Sequence, residues 1–289
     1  AATIRTIQDS GRRLRGDIVI AGVVGEIEKT QVDQYKGSQY RGYGHGTAYL
    51  VSHGGTADVA ILGEPTGLRL MYSHSGSCWF RIGLKGTLVH TGHALNVVNV
   101  ILQMNRVVQA LEEWIPDYQK RYEFMSAKPT VNIGSIEGGW PWRASRTPGF
   151  CNLYVDVRFP PRYHVLDIKQ ELAQLLKKVE EQEGFSSELD LYLTDEWSEV
   201  SADEYVCGAV NRAHEKVFGK PVEPVYFSWS SDANILTRHG IVAVNYGPSG
   251  GPGKETRGTM YIPNLANCAK VYILAAGDIC SKTRSQTRK

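Results

Sequence analysis

Apolar and polar positions alternate in two different ways along the chain. Two runs, "DIVIAGVV" at 17–24 and "ADVAIL" at 57–62, are apolar on both faces, which is typical of central strands in a parallel sheet. Helical spacing precedes the first run, over 1–14, and a second helix is predicted from about Thr47. Strand, helix and strand in this order predict a βαβ unit of a doubly wound sheet.

From about Tyr72 the pattern changes. "CWFRIGLKGTLVH" alternates as a half-exposed antiparallel strand would, and a long amphipathic helix is predicted over 96–114. Two further strands, "TVNIGSIEGG" and "CNLYVDVRFP", precede the helical "HVLDIKQELAQLLKKVEEQEG" and the strand "SELDLYLTDEW". This order is the split βαβ pattern of a ferredoxin-like domain. After about Glu196 the α/β pattern returns, with the helix "ADEYVCGAVNRAHEKVFG", the strand "GIVAVNYGPSG" and a helix over 264–280.

These elements predict an α/β protein with two domains. Residues 1–72 and 187–289 are expected to form a discontinuous domain around a doubly wound, mostly parallel sheet. Residues 73–186 are expected to form an inserted ferredoxin-like α+β domain.

Composition narrows the classes of partner. The 289 residues carry 32 basic and 30 acidic side chains, a net charge of +2, which gives no electrostatic footprint for nucleic acid. No apolar run approaches the ~20 residues that span a bilayer, and the first residues contain no signal-peptide core. The five cysteines are scattered singly, as expected for reduced thiols in a cytosol. We therefore expect a cytoplasmic protein with a small-molecule ligand and with neither nucleic acid nor membrane as a partner.

Two acidic residues follow the two predicted parallel strands. Glu26 comes after "AGVVG", and Glu64 comes after "AILG" and before Pro65. Ligands of open α/β sheets bind outside the carboxyl ends of the strands, where neighbouring carboxylates would share one crevice. Such a pair could hold a divalent metal or take a proton from a bound water. The alternative is a pair of ordinary solvated acids at strand ends.

Six ordered segments give the chain a family resemblance. They are "VVGEIEK", "ADVAILGEPTGL", "KGTLVHTGHALNVVNVI", "VNIGSIEGG", "DVRFPP" and "SDANILTRHGIVAVNYGP". In this order they resemble the metallopeptidase and deacylase family of acetylornithine deacetylase, succinyl-diaminopimelate desuccinylase, aminoacylase and glutamate carboxypeptidase. The resemblance implies a catalytic α/β domain with two bridged metal ions, commonly zinc, and an inserted domain through which two copies form a homodimer.

The resemblance also implies roles for five residues. Glu26 matches the general base, and Glu64 of "GEPT" matches a ligand of one metal ion. His90 matches a histidine that reaches across the dimer to the scissile carbonyl. Asn99 and Arg158 match positions that help to bind the substrate.

Three departures reduce the metal site that the resemblance implies. The family's opening segment, with a metal-binding histidine and a bridging aspartate, has no counterpart in these residues. Ile27 stands where the family has a second glutamate. Glu28 is no simple substitute, because in an extended chain residues 26 and 28 share one face and residue 27 points away from it. No histidine occurs after His239, although the family places its last ligand after "YGP". We therefore expect at most one metal ion per chain, zinc by resemblance, with His45, His53 and His93 as candidate replacement ligands.

The expected function is hydrolysis of a C–N amide bond in a small, carboxylate-bearing substrate by a metal-bound water. The alternative is a catalytically inactive homologue that binds a small molecule in the same cleft. A third possibility, an aromatic substrate, rests on the tyrosine-rich loop over 35–43 and on "GGWPWRASR".

Overall fold

The computed structural model describes residues 2–11, 13–249 and 260–287, which fall into two compact units. The first unit comprises Ala1–His74 and Ser198–Lys289, and the second comprises Ser75–Trp197. The elements of the first unit are α1 Ala2–Asp9, α2 His45–Ser52, β1 Val59–Leu62, β2 Ser73–His74, β7 Ser198–Glu199, α5 Tyr205–Phe218, α6 Ala233–Arg238, β8 Val242–Asn245, α7 Ile262–Ile279 and α8 Arg284–Thr287. Those of the second unit are β3 Gly76–Lys85, α3 Val100–Arg121, β4 Val131–Gly138, β5 Phe150–Phe159, α4 Val165–Glu183 and β6 Ser187–Asp195.

The second unit has the predicted ferredoxin-like architecture. Its four strands form one antiparallel sheet in the order β4-β5-β3-β6. The helices α3 and α4 pack on one face of this sheet, around a core that includes Phe80, Leu153 and Leu172. The sheet extends beyond the predicted domain end at 186, because β6 pairs with β3 from Ser187 to Asp195. The compact unit accordingly runs to Trp197.

The two helices of this unit follow directly from their sequences. In α4 the buried residues Val165, Ile168 and Leu172 recur at helical spacing, so that one stripe faces the core. His164 caps the first turn, and its side chain accepts a hydrogen bond from the backbone N–H of Leu166. Gly184 ends the helix with a φ of 71°, a left-handed conformation that costs glycine little.

The first unit contains the α/β part of the fold. The strands β1 and β8 are parallel, with Val59 opposite Val242 and Leu62 opposite Asn245. A two-stranded antiparallel pair, β2 with β7, is a separate sheet. The helices α5 and α7 pack on a core that includes Val210, Val244 and Val271. In the described residues, no helix is long and apolar enough to cross a membrane.

The strand predicted over 17–24 is wrong, and with it the βαβ unit that it was to open. These residues form no strand, and their apolar side chains are exposed: Val19 is 67% exposed and Val24 is 78% exposed. The physical reason is that no strand in the described part of the chain pairs with this segment, and a strand is stabilised by its ladder and by burial. The predicted helix near Thr47 is confirmed as α2, and the strand at 57–62 is confirmed as β1.

Candidate active site

The segment that carries Glu26 is held by a glycine-rich loop. The backbone N–H groups of Tyr43, His45 and Gly46 donate hydrogen bonds to carbonyl oxygens of the segment. The N···O distances are 3.3 Å to Ile27, 3.2 Å to Gly25 and 2.9 Å to Val24. The backbone on both sides of Glu26 is therefore fixed, whereas its side chain is exposed.

Two glycines of "GYGHG" make this close approach possible. A Cβ atom built on Gly46 would lie 2.3 Å from the carbonyl oxygen of Val24. One built on Gly42 would lie 2.1 Å from the carbonyl oxygen of Ile27. Real Cβ atoms do not come so close to a backbone oxygen, so any larger residue would push the Glu26 segment away.

Glu64 is positioned by the end of the parallel strand pair. It follows β1 after Gly63, and Tyr246 donates a backbone hydrogen bond of 2.9 Å to Leu62, which continues the pairing with β8. Gly247 then passes against Glu64, because a Cβ on Gly247 would lie 2.3 Å from the Glu64 carbonyl oxygen. The half-buried Glu64 thus lies where the sequence placed it, at the carboxyl end of a parallel strand.

Asp232 is a third acid of this unit, to which the sequence analysis gave no role. It precedes α6 and is 6% exposed, and its carboxylate accepts a hydrogen bond from the Thr47 hydroxyl of α2. A Cβ on Gly44 would lie 2.5 Å from its Oδ1, so this loop approaches Asp232 as well. The sequence "SDANIL" gives no signal for such a role, because an aspartate before a short helix is usually a capping residue.

The electrostatics of the three acids are coupled. Burial, reinforced by the negative charges of Glu26 and Asp232, raises the pKa of Glu64 to about 7. Burial also raises the pKa of Asp232, and the hydrogen bond from Thr47 opposes this shift. A group with a pKa near 7 can exchange protons at neutral pH, which is the property that acid–base chemistry requires.

The acids do not make a metal centre by themselves. In residues 2–11, 13–249 and 260–287, no group of three or more His, Cys, Asp or Glu side chains is close enough to hold an ion. Structural and catalytic zinc sites use at least three protein ligands. The donors present therefore do not fit a complete zinc site. The segment after "YGP", where the resemblance places the last ligand, falls partly at 250–259, outside the described residues.

The three candidate replacement histidines differ in their surroundings. His45 starts α2, and its backbone N–H lies next to Gly25 on the Glu26 segment. His53 follows the last residue of the same helix as its C-cap. Its ring stacks on Tyr49 at 3.8 Å, and its Nδ1 lies 2.8 Å from the Tyr49 carbonyl oxygen. His93 belongs to the second unit, with its ring 6.2 Å from that of His90.

In the second unit, His90 and Asn99 lie in the segment that connects β3 to α3. His90 is exposed, and its Nδ1 accepts a hydrogen bond of 3.1 Å from the backbone N–H of Gly92. Asn99 caps α3, because its Oδ1 accepts a 3.0 Å hydrogen bond from the N–H of Ile101. The start of α3 lies near the end of β3, since a Cβ on Gly86 would be 2.8 Å from Val100.

Arg158 lies at the other end of the same sheet. It is opposite Ser77, at the start of β3, whereas the segment with His90 follows Lys85 at the end of that strand. Eight residues of β-strand span about 26 Å at ~3.3 Å per residue. Arg158 and His90 of one chain are therefore too far apart to contact the same small substrate.

The aromatic loops make local ring contacts. The rings of Tyr35 and Tyr40 meet edge-on at 5.8 Å. Trp140 and Trp142 stack at 5.8 Å, and the guanidinium of Arg143 lies 6.0 Å from the Trp142 ring. These contacts lie within single loops and add no support for an aromatic substrate.

Comparisons with known proteins agree with this architecture. Residues 72–184 match the M20 peptidase dimerisation domain. An acetylornithine deacetylase of Pectobacterium carotovorum is 33% identical over 125 residues, which cover 42% of this chain and 32% of that protein. One of Myxococcus xanthus is 27% identical over 243 residues, covering 81% and 61%. An M20 family metallo-carboxypeptidase structure from Sulfolobus solfataricus superposes with a TM-score of 0.59 at 15% identity, covering 80% and 67%.

These features define an α/β fold class. Along the sequence, a ferredoxin-like unit that matches a dimerisation domain separates the two parts of the α/β unit. The comparisons confirm the resemblance: the chain is similar to acetylornithine deacetylases, and residues 72–184 match the M20 dimerisation domain. Its matches span 32% and 61% of the length of the two acetylornithine deacetylases.

Proposed function

We propose that the protein is an amidohydrolase that cleaves a C–N bond in a small substrate with a carboxylate group, such as an N-acyl amino acid. The observation that carries this proposal is the similarity to acetylornithine deacetylases, which extends over 243 residues for the one of Myxococcus xanthus. The grouping of Glu26, Glu64 and Asp232 supports a reactive site in the same unit, because the charges of Glu26 and Asp232 reach Glu64 and contribute to its raised pKa.

In the proposed reaction, the Glu26 carboxylate takes a proton from the water that attacks the amide carbon. By the family resemblance, His90 of a second copy donates a hydrogen bond to the oxyanion that forms, and Asn99 and Arg158 orient the substrate. The family implies a divalent metal, zinc by resemblance, with Glu64 as one ligand and at most one ion per chain. The donors in the described part of the chain do not complete such a site.

We further propose that the active form is a homodimer assembled through the second unit. The match to a dimerisation domain supports this. The separation of His90 from Arg158 supports it too, because one substrate could contact both only if two chains contribute. Large apolar side chains near the start of α3 and the end of β4 are also exposed: Leu95, Val98, Leu102, Ile136 and Trp140.

A cytoplasmic location is proposed on the five scattered cysteines.

Replacement of Glu26 tests the proposal. Glu26→Gln keeps the shape of the side chain and removes the base, so hydrolysis of N-acetylornithine and other N-acetyl amino acids should fall by at least about 10²-fold. Binding of the same compounds, measured by calorimetry, should change little. Glu28→Gln is the matched control, because it removes an exposed carboxylate two residues away. Equal rates for Glu26→Gln and the wild type would reject Glu26 as the base.

The second candidate is an inactive homologue that binds a small molecule in the same cleft. The lack of a three-donor metal group in the described residues favours it. This candidate predicts that the wild type binds N-acyl amino acids and releases no acid or amine from any of them, with or without added Zn²⁺.

A further inference from the structure

Arg158 is held through its backbone and through its guanidinium group. Its backbone N–H donates a 2.9 Å hydrogen bond to Thr130, and its carbonyl accepts a 2.8 Å hydrogen bond from the buried hydroxyl-bearing side chain of Tyr118. Its guanidinium donates from Nε and Nη2 to one oxygen of Asp156, Oδ2, at 2.9 and 2.8 Å. The two side chains are 13% and 20% exposed.

Asp156 is fixed in turn by the neighbouring strand. Its second oxygen, Oδ1, accepts a 2.9 Å hydrogen bond from the hydroxyl of Ser77, which is fully buried. Asp156 and Arg158 are two residues apart on β5 and so share the face of the sheet away from α3 and α4. Ser77 lies opposite Arg158 on β3. The three side chains form one cross-strand chain of hydrogen bonds.

We propose that Asp156 is a positioning residue for Arg158, and that Ser77 supports it by a hydrogen bond that fixes the Asp156 carboxylate. This inference rests on the proposed function, in which Arg158 orients a carboxylate-bearing substrate, and it adds that the guanidinium binds the carboxylate. A guanidinium binds a carboxylate best in one plane, and an arginine side chain loses several rotors when it is fixed. Asp156 binds the edge of the Arg158 guanidinium formed by Nε and Nη2, so the plane of the guanidinium is fixed before the substrate binds. A site oriented in advance binds more tightly than one that must be ordered.

The contact between Asp156 and Arg158 could also weaken substrate binding. Asp156 also neutralises Arg158, and a neutral pair attracts an anionic substrate less than a lone guanidinium does. If charge were the main effect, removal of the Asp156 charge would strengthen substrate binding. If orientation is the main effect, removal weakens it. The two effects therefore predict opposite changes in KM.

The test is steady-state kinetics of Asp156→Asn with the N-acetyl amino acid that the wild type hydrolyses best. We expect KM to rise about tenfold while kcat stays within about twofold. This pattern means that the substrate and the transition state lose the same amount of binding free energy. Ser77→Ala should raise KM by a smaller factor, about two- to threefold. Asp190→Asn is the matched control, because Asp190 pairs with Arg81 on the same face of the same sheet. Its KM should equal that of the wild type.

A lower or unchanged KM in folded Asp156→Asn overturns the proposal, and so does a loss of thermal stability with KM unchanged. Should Asp156→Asn fail to fold, an unchanged KM in Ser77→Ala overturns it instead. A wild type that hydrolyses nothing refutes the proposed function. The positioning claim is then tested by calorimetry with the same compounds, where Asp156→Asn should still weaken binding about tenfold and Asp190→Asn should not.

Discussion

Glu64 is the residue whose environment departs most clearly from that of an ordinary surface acid. Its sequence position, after an apolar strand and before Pro65, predicted a carboxylate at the mouth of a crevice, and β1 ends as that prediction required. Asp232 could not be predicted in the same way. Its contact with Thr47 joins residues 185 positions apart, and no local pattern encodes such a contact.

The raised pKa of Glu64 predicts a specific dependence of stability on pH. Because the folded-state pKa of about 7 exceeds the ordinary value of 4.5, the folded state favours the protonated form. The contribution is fully present below about pH 4.5 and is lost as pH rises through about 7. We expect wild-type stability to fall over this range by about 1–3 kcal/mol more than that of Glu64→Gln, allowing for partial solvent screening of a half-buried group.

Urea denaturation at several pH values, with a chelator present, measures this difference. The chelator is needed because a bound cation would keep the carboxylate ionised. Parallel stability curves for the wild type and Glu64→Gln between pH 4.5 and 7 would show that the environment of Glu64 does not raise its pKa.

At the scale of elements, the second unit could be predicted almost completely, and the Glu26 segment could not. The helices and strands of the ferredoxin-like unit have clear periodicity, caps and turns, so each local pattern agrees with the final pairing. "DIVIAGVV" has a strand pattern too, but a strand also requires a partner, and the described residues supply a glycine loop instead. Periodicity alone cannot distinguish these outcomes.

The glycine loop gives an element-scale prediction. Gly46→Ala places a Cβ against the Val24 carbonyl, so it should displace the Glu26 segment and lower the free energy of unfolding by about 1–3 kcal/mol. Gly22→Ala is the control, because nothing lies within 4 Å of a Cβ at that position and it should be neutral within about 0.5 kcal/mol. Chemical denaturation of both variants measures the effect. Equal stability of the two variants would mean that the loop does not clamp the segment.

At the scale of the whole molecule, the proposed dimer would explain why the residues proposed to contact the substrate occupy opposite ends of one sheet. It also predicts the effect of a charge in the exposed apolar group near the start of α3. Leu102 is 68% exposed, and Leu102→Asp should convert the dimer to a monomer and abolish hydrolysis, because a buried, unpaired carboxylate is costly at an interface.

Light scattering after size exclusion measures the mass of each variant. Leu166→Asp is the control, because Leu166 is 59% exposed on α4, and it should leave the dimer intact. A dimeric Leu102→Asp, or a monomeric wild type that hydrolyses its substrate, would contradict this assembly.

The central claim is hydrolysis of an amide bond, and product release from N-acetylornithine and other N-acetyl amino acids tests it most directly. The wild-type protein should release acetate and free amine, alone or with added Zn²⁺. If the wild type binds these compounds and releases no product in either condition, the protein is a binding homologue that does not hydrolyse amide bonds.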